Sequence, residues 1–220
     1  MTPLVLITAR GGSMRLPGKN IRQLGGLSLI GWTARTAHAA LAEARVVLST
    51  DDTAIADEGR RQGLDVPFRR GSDLARDDTP SWAVAADALD RLGGSFDTVV
   101  LLQPTSPFRP PELIRGCLDL LVQNPDAEGV ISVTRLQVGL AHVYRDANGR
   151  LERAGGEGAA FAPSGAVYAV RADAVRRHRT MIPPTCLYVE HGGLSALDID
   201  TAEDWAMAEA ALAAGHIGRP

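Results

Sequence analysis

Residues Arg10-Gly11-Gly12-Ser13-Met14-Arg15-Leu16-Pro17-Gly18-Lys19-Asn20 put three cations, three glycines and a hydroxyl between two apolar stretches. Glycine lets backbone approach a ligand closely with its N–H groups turned inward, and Arg and Lys add charge-assisted hydrogen bonds to phosphate oxygens. By composition alone a triphosphate cradle and a solvated basic loop fit equally well. Position favours the cradle: the stretch follows an apolar run of strand type, and ligands of open α/β sheets bind beyond the carboxyl ends of the strands. Two common phosphate motifs are absent. In a P-loop the second Gly would fall one residue sooner after Gly12 and Ser or Thr would follow Lys19, where Asn20 stands. The Gly-x-Gly-x-x-Gly of dinucleotide-binding oxidoreductases is missing as well.

A second constellation is Asp198-Ile199-Asp200. In extended chain, residues two apart share a face, so both carboxylates would converge. Like charges so close call for a cation, and oxygen ligands beside phosphate suit magnesium. Taken alone, Asp-x-Asp reads more simply as a helix cap with a solvated neighbour; its pairing with the basic loop favours the metal. Other polar segments follow apolar runs. Ser49-Thr50-Asp51-Asp52 reads as a turn and helix cap, and Gln103-Pro104-Thr105-Ser106-Pro107-Phe108-Arg109 as a proline-stiffened loop able to hold Gln103 and Arg109 toward a ligand. Arg69 to Thr79, with Arg70, Asp73, Asp77 and Asp78, reads by itself as solvated surface.

Alternating elements must position these groups. Leu4 to Thr8, Arg45 to Ser49, Thr98 to Leu102, Val130 to Thr134 and Ala166 to Val170 are rich in Val, Ile and Leu without polar alternation, as strands covered on both faces are, and all five are expected to be central. Ser28 to Leu41, Asp52 to Gln62, Pro80 to Leu92, Pro111 to Val122 and Ala202 to Leu212 read as helices. Thr79-Pro80 and Thr201 with Asp204 supply start signals, and Gly63, Gly93 and Gly94 stops. The pattern predicts an α/β fold with a largely parallel sheet. Asn148-Gly149 predicts a small antiparallel ribbon across Tyr144 to Leu151. The 220 residues form one expected domain, with a ribbon excursion at about 135–165.

Together these segments, with Leu24-Gly25-Gly26, Gly165-Ala166-Val167-Tyr168 and Thr201, resemble the acylneuraminate cytidylyltransferases, the CMP-sialic acid synthetases, across nearly the whole chain. The resemblance implies a Rossmann-like, doubly wound fold with helices on both faces, CTP and Mg2+ as partners, a sugar-acid acceptor and a homodimer. It places Arg10, Ser13, Lys19 and Asn20 on the nucleotide, with Arg10 and Lys19 at the phosphates. Arg70 and Ser81 would approach the nucleoside, Gln103 the acceptor, and Asp198 with Asp200 the metal, with Tyr168 a further substrate-binding position. Three departures stand out. Met14 replaces a usual Lys, the stretch before Gly165 lacks the usual Arg-rich segment, and Thr180-Met181 replace an aromatic pair. They leave open a different acid, such as 3-deoxy-octulosonate or a phosphonate, and a catalytically weak nucleotide-binding protein.

A net charge of −3 gives no broad attraction for nucleic acid or an anionic membrane. Met1 to Ala9 lacks a basic leader and is too short to span a bilayer, and Cys117 and Cys186 show no metal or disulfide spacing, so a cytoplasmic setting is expected.

Overall fold

The computed structural model describes residues 1–146, 148 and 150–218. Along the chain lie β1 (Pro3–Thr8), β2 (Gln23–Leu24), β3 (Leu27–Ser28), α1 (Leu29–Ala40), β4 (Arg45–Ser49), α2 (Thr53–Arg61), α3 (Ser81–Leu92) and β5 (Thr98–Leu102). Then come α4 (Pro111–Gln123), β6 (Gly129–Gly139), β7 (Tyr144–Asp146), β8 (Leu151–Arg153), β9 (Ala159–Arg171), α5 (Ala172–His178), β10 (Cys186–Glu190) and α6 (Ala202–Ala213). Six strands share one sheet in the order β10-β6-β9-β5-β1-β4. Pairs β1–β4, β1–β5 and β10–β6 are parallel, and β9 runs antiparallel between β5 and β6.

Unbroken apolar strands are explained by what covers them. In β1, Val5 and Ile7 pack with Ile30, Ala34 and Ala37 of α1 and with Ile114 and Leu118 of α4. Leu4 and Leu6 point the other way, toward Ala85 and Leu89 of α3 and Val175 of α5. With period-two alternation, a strand apolar at every position serves both layers. Because β1, β4 and β5 are parallel, their carboxyl ends open on one edge, and the loops beginning at Ala9, Thr50 and Gln103 meet there.

Several sequence expectations change. Arg45 to Ser49 is an edge strand rather than a central one. Its outer side is satisfied by Asp65, whose N–H donates to the Val46 carbonyl (3.0 Å) and whose carbonyl accepts from Leu48 N–H (2.8 Å). Thr79 does not cap α3: Pro80 is the cap residue and no side chain bonds there. The capping box of Thr201 and Asp204 is present on α6, and Asp52 caps α2 by accepting from Ile55 N–H at 2.9 Å. β10 and α5 were not foreseen, and β6 and β9 extend well beyond their apolar cores. Strands β7 and β8 make the expected ribbon, while Gly149 of the proposed Asn148-Gly149 turn lies outside the described residues.

The helices flanking the basic loop are stapled together. Ser28 Oγ accepts from Gly31 N–H as the cap of α1 and donates to Glu58 Oε1 of α2 at 2.6 Å. Gln62 Nε2 donates to the same oxygen, and Arg61 pairs with Oε2. Burial raises the Glu58 pKa, but the hydrogen bonds from Ser28, Arg61 and Gln62 outweigh it and leave it lowered. A carboxylate with a depressed folded pKa adds stability above its unfolded pKa and loses it as pH falls through the folded one. Glu58→Ala should therefore lower the unfolding free energy by about 1–3 kcal/mol at neutral pH, since it strands the buried Ser28 hydroxyl. The deficit relative to wild type should shrink in acid; urea titrations across pH check both statements.

Candidate functional site

Where β1 ends, the chain leaves the sheet as the glycine-rich loop, and polar side chains fix its course. Gly11 N–H donates to Asp51 Oδ1 (3.2 Å) just past β4. A Cβ on Gly11 would stand 2.8 Å from Asp52 Oδ2, so the close approach of loop and cap requires glycine. Asn20 closes the far end: its Nδ2 donates to the Arg10 carbonyl (3.2 Å), and its own carbonyl accepts from Ile30 N–H (3.2 Å) at the start of α1.

Lys19, only 8 % exposed, donates from Nζ to the Ile199 carbonyl (3.0 Å) and to Asp200 Oδ1 (2.6 Å). Arg15 donates to the other oxygen, Asp200 Oδ2, at 2.6 Å. Arg10 forms an ion pair with Asp77 across the cleft. Arg70, 7 % exposed, stands 3.6 Å from Asp51 Oδ1, while its Nε and one terminal nitrogen have no hydrogen-bond partner. Burial lowers the Arg70 pKa and the Asp51 carboxylate opposes that shift.

Ile199 sets the Asp-x-Asp register. It is fully buried, and its N–H donates to the Thr105 carbonyl at 2.7 Å, so Asp198 and Asp200 both turn to the cleft. Asp198 is open to solvent yet set in a concave protein wall; that partial desolvation raises its pKa, Asp200 adds to the rise, and a hydrogen bond from Thr105 and the charge of Lys19 oppose it.

Arg10, Ser13, Lys19, Asn20, Arg70, Ser81, Gln103, Asp198 and Asp200 all line one cleft of about 570 Å³ at the carboxyl edge of β1 and β5. Tyr168 is not in that lining; it sits on β9, half-buried against the α3 and α5 layer, where burial and then the charge of the cleft residue Asp198 raise its pKa. Arg109 also differs from expectation. Its side chain is buried and turns back to the Gln103 carbonyl, bracing the proline loop from behind, and burial pushes its pKa down to about 9 against the pull of Asp198. Arg15, counted among the loop cations without a role of its own, and Asp77, read as solvated surface, line the cleft in ion pairs. Their partners lie far along the chain, Arg15 and Asp200 by 185 positions, and no local spacing signals such a pair. The lining carries Arg10, Arg15, Lys19, Arg70 and Arg76 against Asp77, Asp198 and Asp200, a surplus of cations suited to a polyanion. Among the described residues no group of three His, Cys, Asp or Glu side chains forms a metal cage.

A mostly parallel sheet with helices on both faces and a cation-rich cleft past its strand ends defines a Rossmann-like α/β protein of the nucleotidyltransferase type. The sequence matches the cytidylyltransferase family over residues 4–170, and the chain belongs to that family. It is 33 % identical to CMP-N,N'-diacetyllegionaminic acid synthase of Legionella pneumophila over 95 % of both chains. It is also 33 % identical to pseudaminic acid cytidylyltransferase of Campylobacter jejuni, over 56 % of this chain and 55 % of that protein. In fold it resembles CMP:2-keto-3-deoxy-manno-octonic acid synthetase complexed with CTP, with a TM-score of 0.74, 16 % identity, and coverage of 98 % of this chain and 100 % of that one.

Gly11→Ala tests the loop geometry. Its methyl group would push on the carboxylate that caps α2 and separate Gly11 N–H from Asp51, so a loss of about 1–2 kcal/mol in unfolding free energy is expected. Weaker binding of inorganic triphosphate should accompany it, read by titration calorimetry; wild-type values for both would show that the loop tolerates the side chain.

Proposed function

We propose that the protein transfers CMP from CTP to a sugar acid of the nonulosonic type and releases pyrophosphate. The observation that carries this reading is the convergence of Arg10, Lys19, Arg70, Asp198 and Asp200 on one cleft in a chain of the cytidylyltransferase family. The acceptor's anomeric hydroxyl oxygen would form a bond to the α-phosphorus as the bond from that phosphorus to the bridging oxygen breaks; the hydroxyl proton leaves to solvent and pyrophosphate takes the electron pair. Catalysis then rests on alignment and on cations already aimed at developing negative charge. Arg10, Ser13 and Lys19 would hold the phosphates. Asn20, Arg70 and Ser81 would surround the nucleoside. Gln103, on the braced loop, would meet the acceptor.

For Mg2+, the donor chemistry fits: Asp198 and Asp200 present only oxygen, on the same wall as the phosphate-facing cations. Bound there, the ion would neutralise charge on the triphosphate. Leu136 and Val138 of β6, Tyr144 and Leu151 of the ribbon and Tyr188 of β10 are exposed, which supports a homodimer formed through this end of the molecule. Both cysteines are free and no described helix is long and apolar enough to cross a membrane, in keeping with a cytoplasmic setting.

For the acceptor, the match over 95 % of both chains to a legionaminic acid synthase favours a nonulosonic acid other than N-acetylneuraminate. Ala154 to Pro163 contains no cation, and Met181 is packed in the core beside α3 and α5 rather than in the cleft. Pyrophosphate release should be faster with CTP than with ATP, GTP or UTP, and kcat/KM should be higher for a di-N-acetylated nonulosonic acid than for N-acetylneuraminate, 3-deoxy-octulosonate or a small phosphonate. Equal rates with all four nucleotides would remove the cytidylyl assignment, and a clear preference for N-acetylneuraminate would restore ordinary sialic acid activation.

Arg10→Ala and Lys19→Ala should each raise the barrier to turnover by about 2–4 kcal/mol, as loss of a positioned charge does in comparable sites, with circular dichroism unchanged. Asp198→Asn and Asp200→Asn should lose Mg2+-dependent turnover, because the amide keeps the shape without the charge. Near-normal rates in all four would put the triphosphate elsewhere.

A further inference from the structure

Both carboxylate oxygens of Asp200 are already engaged by cations. Lys19 Nζ and an Arg15 terminal nitrogen each donate to a different one of its two oxygens, both at 2.6 Å, so the lone pairs a divalent cation would need already face positive charge. The two cations are not equivalent. Lys19 is buried and anchored a second time by the Ile199 carbonyl, whereas the Arg15 side chain is largely exposed and has Asp200 as its ion-pair partner. Arg15 can therefore swing to another anion without disturbing packing, and Lys19 can move only slightly.

Building on the transferase reading, we propose that Arg15 is a positioning residue that locks Asp200, so the divalent-cation site is completed only when a triphosphate draws Arg15 away. Phosphate oxygens offer the guanidinium a stronger, multiply charged partner than one half-exposed carboxylate. Once Arg15 turns to them, one Asp200 oxygen is released beside Asp198, on the wall the phosphates then face. Nucleotide and cation thereby favour each other's binding, and linkage requires the favour to be mutual. Met14 sharpens the assignment: it is 77 % exposed and carries no charge, so the mobile cation at this point of the loop is its neighbour.

The test uses Mn2+ as probe and the intact chain. Nucleotide-free wild type should bind Mn2+ weakly, and Arg15→Gln should bind it about five-fold more tightly, the effect of removing one near, partly screened like charge. Adding Asp200→Asn to Arg15→Gln should abolish that gain, which a general change in surface charge would not do. Reciprocally, Mn2+ should strengthen CTP binding more in wild type than in Arg15→Gln. Equal Mn2+ affinities of nucleotide-free wild type and Arg15→Gln would overturn the lock while leaving the transferase reading intact. A wild-type protein whose CTP affinity does not respond to Mn2+ at all would remove the cation, and both readings of it would fall.

Discussion

A buried ammonium must be paired, and in this protein that requirement ties the two ends of the chain together. Lys19 follows the first strand, and its partners, the Ile199 carbonyl and Asp200, lie 180 and 181 positions later, just before the last helix. Stripping one partner from a buried charge costs far more than an exposed pair contributes, because the remaining charge stays desolvated. The glycine loop can therefore settle only when the C-terminal segment has docked. That docking is itself apolar: Ile199 is buried with Trp205 and Ala208 of α6 against Leu24, Leu29 and Trp32. A small hydrophobic cluster outside the two main layers thus sets the distance between the buried Lys19 ammonium and a carboxylate pair.

Much of the fold was legible because burial on both faces leaves a plain mark. The middles of β1, β4 and β5 are unbroken runs of Val, Leu and Ile, and only a strand covered on both sides needs that. What the pattern could not show was order in the sheet. Arg45 to Ser49 reads like a central strand and lies at the edge, because a loop segment at Asp65 rather than another strand closes its outer side. β10 escaped notice for the opposite reason: Leu187 and Val189 pack inward while Tyr188 and Glu190 face out, too short an alternation to distinguish from loop. The outer halves of β6 and β9 leave the layered core, so their burial signal fades where pairing continues.

The candidate site was legible in types and not in pairings. Glycines and cations after one strand, and carboxylates two apart before a capped helix, announce themselves by local spacing. Across the cleft, the partnerships depend on three dimensions. Asp77 looks like surface charge in a hydrophilic loop until Arg10 is seen opposite, and Arg109 looks like a ligand-facing cation until it is found behind its own loop. Tyr168 belongs to a recognisable segment, yet strand alternation packs its side chain against the helix layer, and its tie to the cleft is the charge of Asp198.

Arg70 and Arg109 show how one physical cost can have two outcomes. Each is buried and each keeps two guanidinium nitrogens without a hydrogen bond, although one of those on Arg70 stands 3.6 Å from the Asp51 carboxylate. An unsatisfied buried donor costs on the order of 1–3 kcal/mol, more when it is charged, so neither is free. Arg109 lies away from the cleft, and the partial return it obtains is local: the Gln103 carbonyl accepts from it and the nearby Asp198 carboxylate favours its charge. Arg70 lines the cleft, and its partial return comes from Asp51, whose carboxylate stands 3.6 Å from one terminal nitrogen and opposes the fall in pKa that burial causes. At Arg70 the return is therefore a carboxylate on the loop after β4, and at Arg109 it is a backbone carbonyl that ties the side chain to the loop carrying Gln103.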